Sequence, residues 1–118
     1  MTDRELLELA AKAAGLHVMG ADTSSRIVHG VPVFMGLTIR RDDYPSGYRW
    51  NPLTDDGDAL RLAVKIGRSR TLQLVVGVGG ADCQFDHPLV TAFESGDDPY
   101  AATRRAIVRA AAEIGRTM

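Results

Sequence analysis

The sequence predicts an α+β domain, with three helices packed on a small, mainly antiparallel sheet of three to five strands. Three observations predict it. Capping residues stand before three stretches of helical apolar period, near the start, middle and end of the chain. Period-two alternation marks strands between them. The order of helix, two or three strands, helix, two strands and helix is that of helices interrupting an antiparallel meander. The 118 residues suit a single domain, 1–118. A fold of this size hides roughly two-thirds of its unfolded surface, enough for a core without staples.

The first helix opens at Thr2-Asp3-Arg4-Glu5, a capping box in which the hydroxyl and the carboxylate satisfy each other's backbone N–H groups. Leu6, Leu7, Leu9, Ala10, Ala13 and Ala14 fill a wide apolar arc, with Arg4, Glu5, Glu8 and Lys12 opposite, and Gly15 stops the helix. Val33, Met35, Leu37 and Ile39 then alternate with Phe34, Gly36, Thr38 and Arg40, as a half-buried strand does. Ile27-Val28-His29 reads as its short partner, and Tyr48-Arg49-Trp50 returns after the turn formers of 42–47.

The second helix is capped by Thr54 or Asp55, and its first-turn acids suit the positive end of the helix dipole. Ala59, Leu60, Leu62, Ala63, Val64 and Ile66 take most of its circumference, leaving Arg61 and Lys65 outside, and Gly67 ends it. Leu72, Leu74 and Val76 alternate with Gln73 and Val75 in a strand broken by Gly77-Val78-Gly79-Gly80, and Leu89 to Phe93 is a further strand candidate. The third helix has Asp98 as N-cap and Pro99 at its first position, where the missing N–H costs nothing. Tyr100, Ile107, Ala111 and Ile114 mark its buried side.

Charge and composition exclude several classes. A net charge of -1 draws the whole molecule toward neither nucleic acid nor anionic lipid. The single cysteine, Cys83, forms no intramolecular disulfide, which suits a reducing compartment. No stretch reaches the ~20 apolar residues of a membrane span, and the N-terminal residues lack the basic start of a secretory signal. A cytoplasmic protein without membrane partners is expected.

On the third helix Arg105, Arg109 and Arg116 fall within roughly 40° of one another and form an outward stripe. If each met a DNA phosphate, affinity would fall about 40-fold between 50 and 200 mM salt, a weak and nonspecific contact. Glu113, one turn beyond Arg109, is expected to pair with it. Arg104 lies on the shoulder of the apolar arc, so its head needs water, a carboxylate or backbone carbonyls. Tyr44, Tyr48 and Trp50 gather around one turn; where exposed, they are hot-spot candidates for a protein partner.

Other motifs carry less. Asp55-Asp56-Gly57-Asp58 continues into Ala-Leu-Arg-Leu, unlike a calcium loop. Cys83 and His87 offer two ligands where a structural zinc takes four. The glycines at 77–80 precede no helix that could receive a pyrophosphate. No catalytic, cofactor-binding or metal-binding residues are therefore expected, and Cys83 reads as a small buried filler. An enzyme would have to gather distant residues such as Cys83, His87, His29, Asp82 and Asp86 into one pocket.

The stretch from Trp50 to Ala63, WNPLTDDGDALRLA, and the helix from Asp98 to Gly115 resemble the phage α-β-α sandwich domain family, small proteins of phages and prophages. The opening helix, Thr2 to Gly15, is similar too, so the likeness spans start, middle and end. The resemblance implies an α-β-α layered sandwich of phage or prophage origin and supplies no activity or catalytic residues. The function expected is a non-enzymatic accessory module that binds a protein partner. Nucleic-acid association through the arginine stripe ranks second, and an enzyme with a dispersed site third.

Overall fold

Helix α1 (Asp3–Ala13) starts where the capping box places it, with Thr2 Oγ1 accepting the Glu5 N–H at 3.2 Å. Its end is a Schellman motif: Gly15 adopts φ +69°, its N–H bonds to the Lys12 carbonyl, and the Leu16 N–H reaches the Ala11 carbonyl. The computed structural model describes the whole chain except Asp42, His87 and Pro88; for residues 24–27, 32, 44 and 45 it describes the backbone only.

Strands β1 (Val18–Val28), β2 (Val31–Arg41) and β3 (Tyr44–Trp50) form one antiparallel sheet in that order. β1 is far longer than the three residues the sequence suggests, because its Gly, Asp and Ser positions read as loop. The alternation read along β2 also slips once. The β1–β2 register shifts between Asp22–Gly36 and Thr23–Phe34, a bulge at Met35. Gly36 takes φ +133° there, with the Trp50 carbonyl 2.6 Å from where a Cβ would stand. The bulge turns Phe34 toward the core alongside Leu37 and Ile39.

Helix α2 (Asp56–Gly67) is capped by Asp55, whose carboxylate accepts the Asp58 N–H at 2.8 Å. Strands β4 (Leu72–Gly77), β5 (Gly80–Phe85) and β6 (Val90–Ser95) form a second antiparallel sheet in chain order. The expected single sheet of three to five strands is thus six strands in two sheets among the described residues. The strand not foreseen is β5, where Ala81, Cys83 and Phe85 point into the core and Asp82 and Gln84 away from it.

Helix α3 (Pro99–Arg116) is central. One side packs on β5 and β6, the other against α1 and α2, and α1 in turn packs on β2. Its N-cap is Asp98, which accepts from the Tyr100 and Ala101 N–H groups. The crossing with α1 is made of small residues: Ala10, Ala11, Ala111, Ala112 and Gly115 are buried. Gly115 lies so close that a Cβ built on it would stand 2.0 Å from the Leu9 carbonyl oxygen. Among the described residues no helix is long and apolar enough to cross a membrane.

Three apolar placements differ from expectation. Tyr100 lies in the first turn of α3, beyond the part that α1 and β5 cover, and is 68% exposed. Leu60 and Val64 on α2 are also exposed, because the buried side of α2 is that of Asp58, Ala59, Leu62, Ala63 and Ile66.

Candidate interaction surface

Each arginine of the outward stripe faces an acid. Arg105 donates to Asp3 at 3.3 Å and lies 3.6 Å from Glu94. Arg109 bonds Glu94 at 2.5 Å and the Phe93 carbonyl at 3.2 Å. Arg116 takes Glu113, the residue expected to serve Arg109. Surface pairs of this kind add little stability, but three carboxylates beside three guanidinium groups cancel the local charge a phosphate would need. Arg104 turns inward, 17% exposed, and donates to Asp56 at 2.6 Å and to the Leu53 carbonyl at 2.8 Å.

That contact joins the two longer segments singled out in the sequence, Trp50–Ala63 and the last helix. Within the first, Trp50 is buried at 3% exposure. The Asn51 amide donates to the Met35 carbonyl at the β2 bulge while its oxygen accepts from Leu53. Asp58 is buried and accepts from the Tyr48 hydroxyl at 3.0 Å, the Asn51 N–H at 3.0 Å and Arg61 at 2.7 Å. Burial and this bond to Asp58 raise the Tyr48 phenol above its ordinary pKa, so it stays a donor. The Arg41 guanidinium stacks 4.3 Å from the Tyr48 ring centre. Of the aromatic trio, Trp50 belongs to the core, Tyr48 to this network, and the Tyr44 side chain lies outside the described residues. A cavity of about 230 Å³ beside them is lined by Ile39, Tyr48, Trp50, Arg41, Arg61 and Lys65 among others.

Cys83 and Asp82 are neighbours on opposite faces of β5. The Cys83 thiol is fully buried, and burial, with the Asp82 charge, pushes its pKa up to about 12 from 9.0. The unfolded chain therefore loses this proton first. The contribution is complete below pH 9 and declines as pH rises toward 12, by at most about 1.4 kcal/mol per pH unit. Urea unfolding at pH 8 and 10 is expected to show this decline, with a shallower fall in Cys83→Ala. His87 lies outside the described residues and His29 sits at the β1–β2 turn. Among the described residues no three His, Cys, Asp or Glu side chains are grouped to hold a metal ion.

A cluster of exposed apolar residues lies around β4. Leu74 and Val76 face the same side as the buried Cys83 and Ala81 with which they pair, yet both remain exposed. With Leu60, Ala59, Pro99, Tyr100 and Ile107 they line a groove of about 540 Å³ between β4, α2 and the start of α3. Val64 stands exposed one turn beyond Leu60. Val75, 52% exposed, sits on the other face of β4, opposite Asp82, whose Oδ1 is buried without a hydrogen-bond partner among the described residues. Among the described residues β4 pairs with β5 alone, so its outer edge is open to another strand.

An apolar arc reads as core in a sequence, so periodicity alone does not single these residues out as surface. The signal was present all the same: α2 is apolar around too much of its circumference to be covered from one side, and Leu72–Val76 sets two adjacent valines where a half-buried strand would alternate. No protein-family model, curated protein or solved structure matches this chain.

Proposed function

We propose that this chain is a non-enzymatic interaction module that takes a partner strand onto the open edge of β4. The observation that carries the reading is the coincidence of an unpaired edge with an apolar groove, lined by Leu60, Leu74, Val76 and Tyr100, along the same strand. In strand addition the main chain supplies affinity, and alternate side chains entering pockets supply specificity. Residues 72–80 carry no charge, so the matching partner segment is extended, apolar and uncharged. Among the described residues, Asp55 and Asp98 cap helices, the arginines of α3 are ion-paired and Asp58 is held in its network, which favours binding over catalysis. The phage or prophage origin belongs to the same reading and rests on the resemblance of Trp50–Ala63, the Asp98–Gly115 helix and the opening helix.

Selection from a random displayed-peptide library tests it. Uncharged β-prone peptides are expected, with binding lost in Val75→Lys and Leu60→Lys and kept when Arg105, Arg109 and Arg116 are all changed to alanine. Ligands, peptide or DNA, that depend on the three arginines and ignore β4 would move the function to the stripe.

A further inference from the structure

We infer that the strand received by β4 is the β4 of a second copy, giving a two-fold dimer with one continuous six-stranded sheet; this rests on the strand-addition reading. The four sheet edges differ in how they are guarded. β1 is broken by three register shifts. β3 carries Pro45, which lacks an N–H, and the charged Arg49. On β6, Glu94 is charged and Arg109 occupies the Phe93 carbonyl. Register breaks, proline and charge are the ordinary means by which a sheet edge refuses another strand. From Leu72 to Gly80 β4 and its turn have none of them.

The strand itself, Leu72–Gly77, also suits the part of the incoming strand: it is extended and uncharged, with Leu72, Leu74 and Val76 on the groove face and Val75 beside Gln73 on the other. A two-fold axis normal to the sheet pairs even positions with even and odd with odd, so the groove faces of both copies stay on one side. Centred on Val75, it sets Leu74 against Val76 of the mate and Val75 against its own counterpart. The mate's groove-side residues then meet Leu60 and Tyr100. Leu60 at 64% and Tyr100 at 68% exposure, with the β4 side chains, leave several hundred Å² of apolar surface to bury. That is the scale of the ~800 Å² per partner that stable interfaces take. A six-stranded sheet lies within the common range of sheet sizes.

Sedimentation velocity over a concentration series tests the inference. The wild type is expected to pass from monomer to dimer as concentration rises. Val75→Lys sets like charges together across the axis and weakens dimerisation at least about 100-fold. The new ammonium stands beside Asp82, so the fold is kept, as circular dichroism checks. Leu60→Lys, one turn after Asp56 on exposed α2, gives an independent second variant with the same expected loss. A wild type monomeric at every concentration, or a dimer untouched by both substitutions, overturns the second-copy assignment. If that monomer still binds the selected peptides at β4, strand addition stands without self-pairing; if it binds none, both fall.

Discussion

Gly115→Ala is expected to lower the unfolding free energy by about 3 kcal/mol, the upper end of what overpacking costs. The added methyl would sit 2.0 Å from the Leu9 carbonyl oxygen, with the Leu9 carbonyl carbon at 2.8 Å. Both are backbone atoms of α1, so no rotamer change relieves the contact and the two helices must separate. The seam around them is built of alanines, which cannot refill the gap. Urea unfolding measures the loss, and a melting temperature lower by about 10–15 °C should accompany it. Gly67→Ala is the control: its Cβ meets only Leu72 Cβ, at an ordinary 3.6 Å, and a helical alanine is favoured over glycine. A Gly115→Ala protein as stable as wild type would mean that α1 and α3 do not pack this closely.

The second large effect lies at Asp58. Removing its carboxylate in Asp58→Ala leaves the Asn51 N–H and the Tyr48 hydroxyl without their acceptor. Bonds to a buried charge are worth about 1.5–3 kcal/mol each. Arg61 is half exposed and returns to water, so its share is discounted. A total loss of about 3 kcal/mol is expected, again by urea unfolding. Tyr48→Phe should cost about 1.5 kcal/mol, the lower end of that range, and the double variant less than the sum, since both changes break the same bond. Strict additivity would show that Tyr48 and Asp58 are not coupled.

What the sequence disclosed depended on whether local chemistry or tertiary cover decides the outcome. Thr2, Asp55 and Asp98 cap their helices as local rules require, because a cap needs only the next three residues. The core side of α3 around Ile107 and Ile114 followed from period alone. Where distant elements decide, reading failed. Nothing local marks β1 before Ile27 as a strand, since its polar residues owe their place to β2. The Met35 bulge exists because Gly36 lies against the Trp50 carbonyl, fourteen positions away. Asp58 looked like one more first-turn acid until Tyr48 and the Asn51 N–H came to it from β3 and the turn after it.

The same distinction governs the functional surface. Charge is conspicuous in a sequence, and the arginine stripe drew notice for that reason, but Asp3 and Glu94 arrive from α1 and β6 to answer it. Exposed apolar residues are inconspicuous because the same pattern serves a core. Leu60, Val64, Leu74, Val75 and Val76 are distinguished from core only by what fails to cover them.

Backbone hydrogen–deuterium exchange, resolved by residue on the full chain, tests the central claim most directly. In dilute, unbound protein the outward-facing amides of Leu72–Gly77 should exchange as those of an open edge, and binding, by a selected peptide or by concentration, should slow them selectively, together with amides around Leu60. Protection that instead gathers on the arginine face of α3 while β4 keeps its dilute exchange rates would contradict the account.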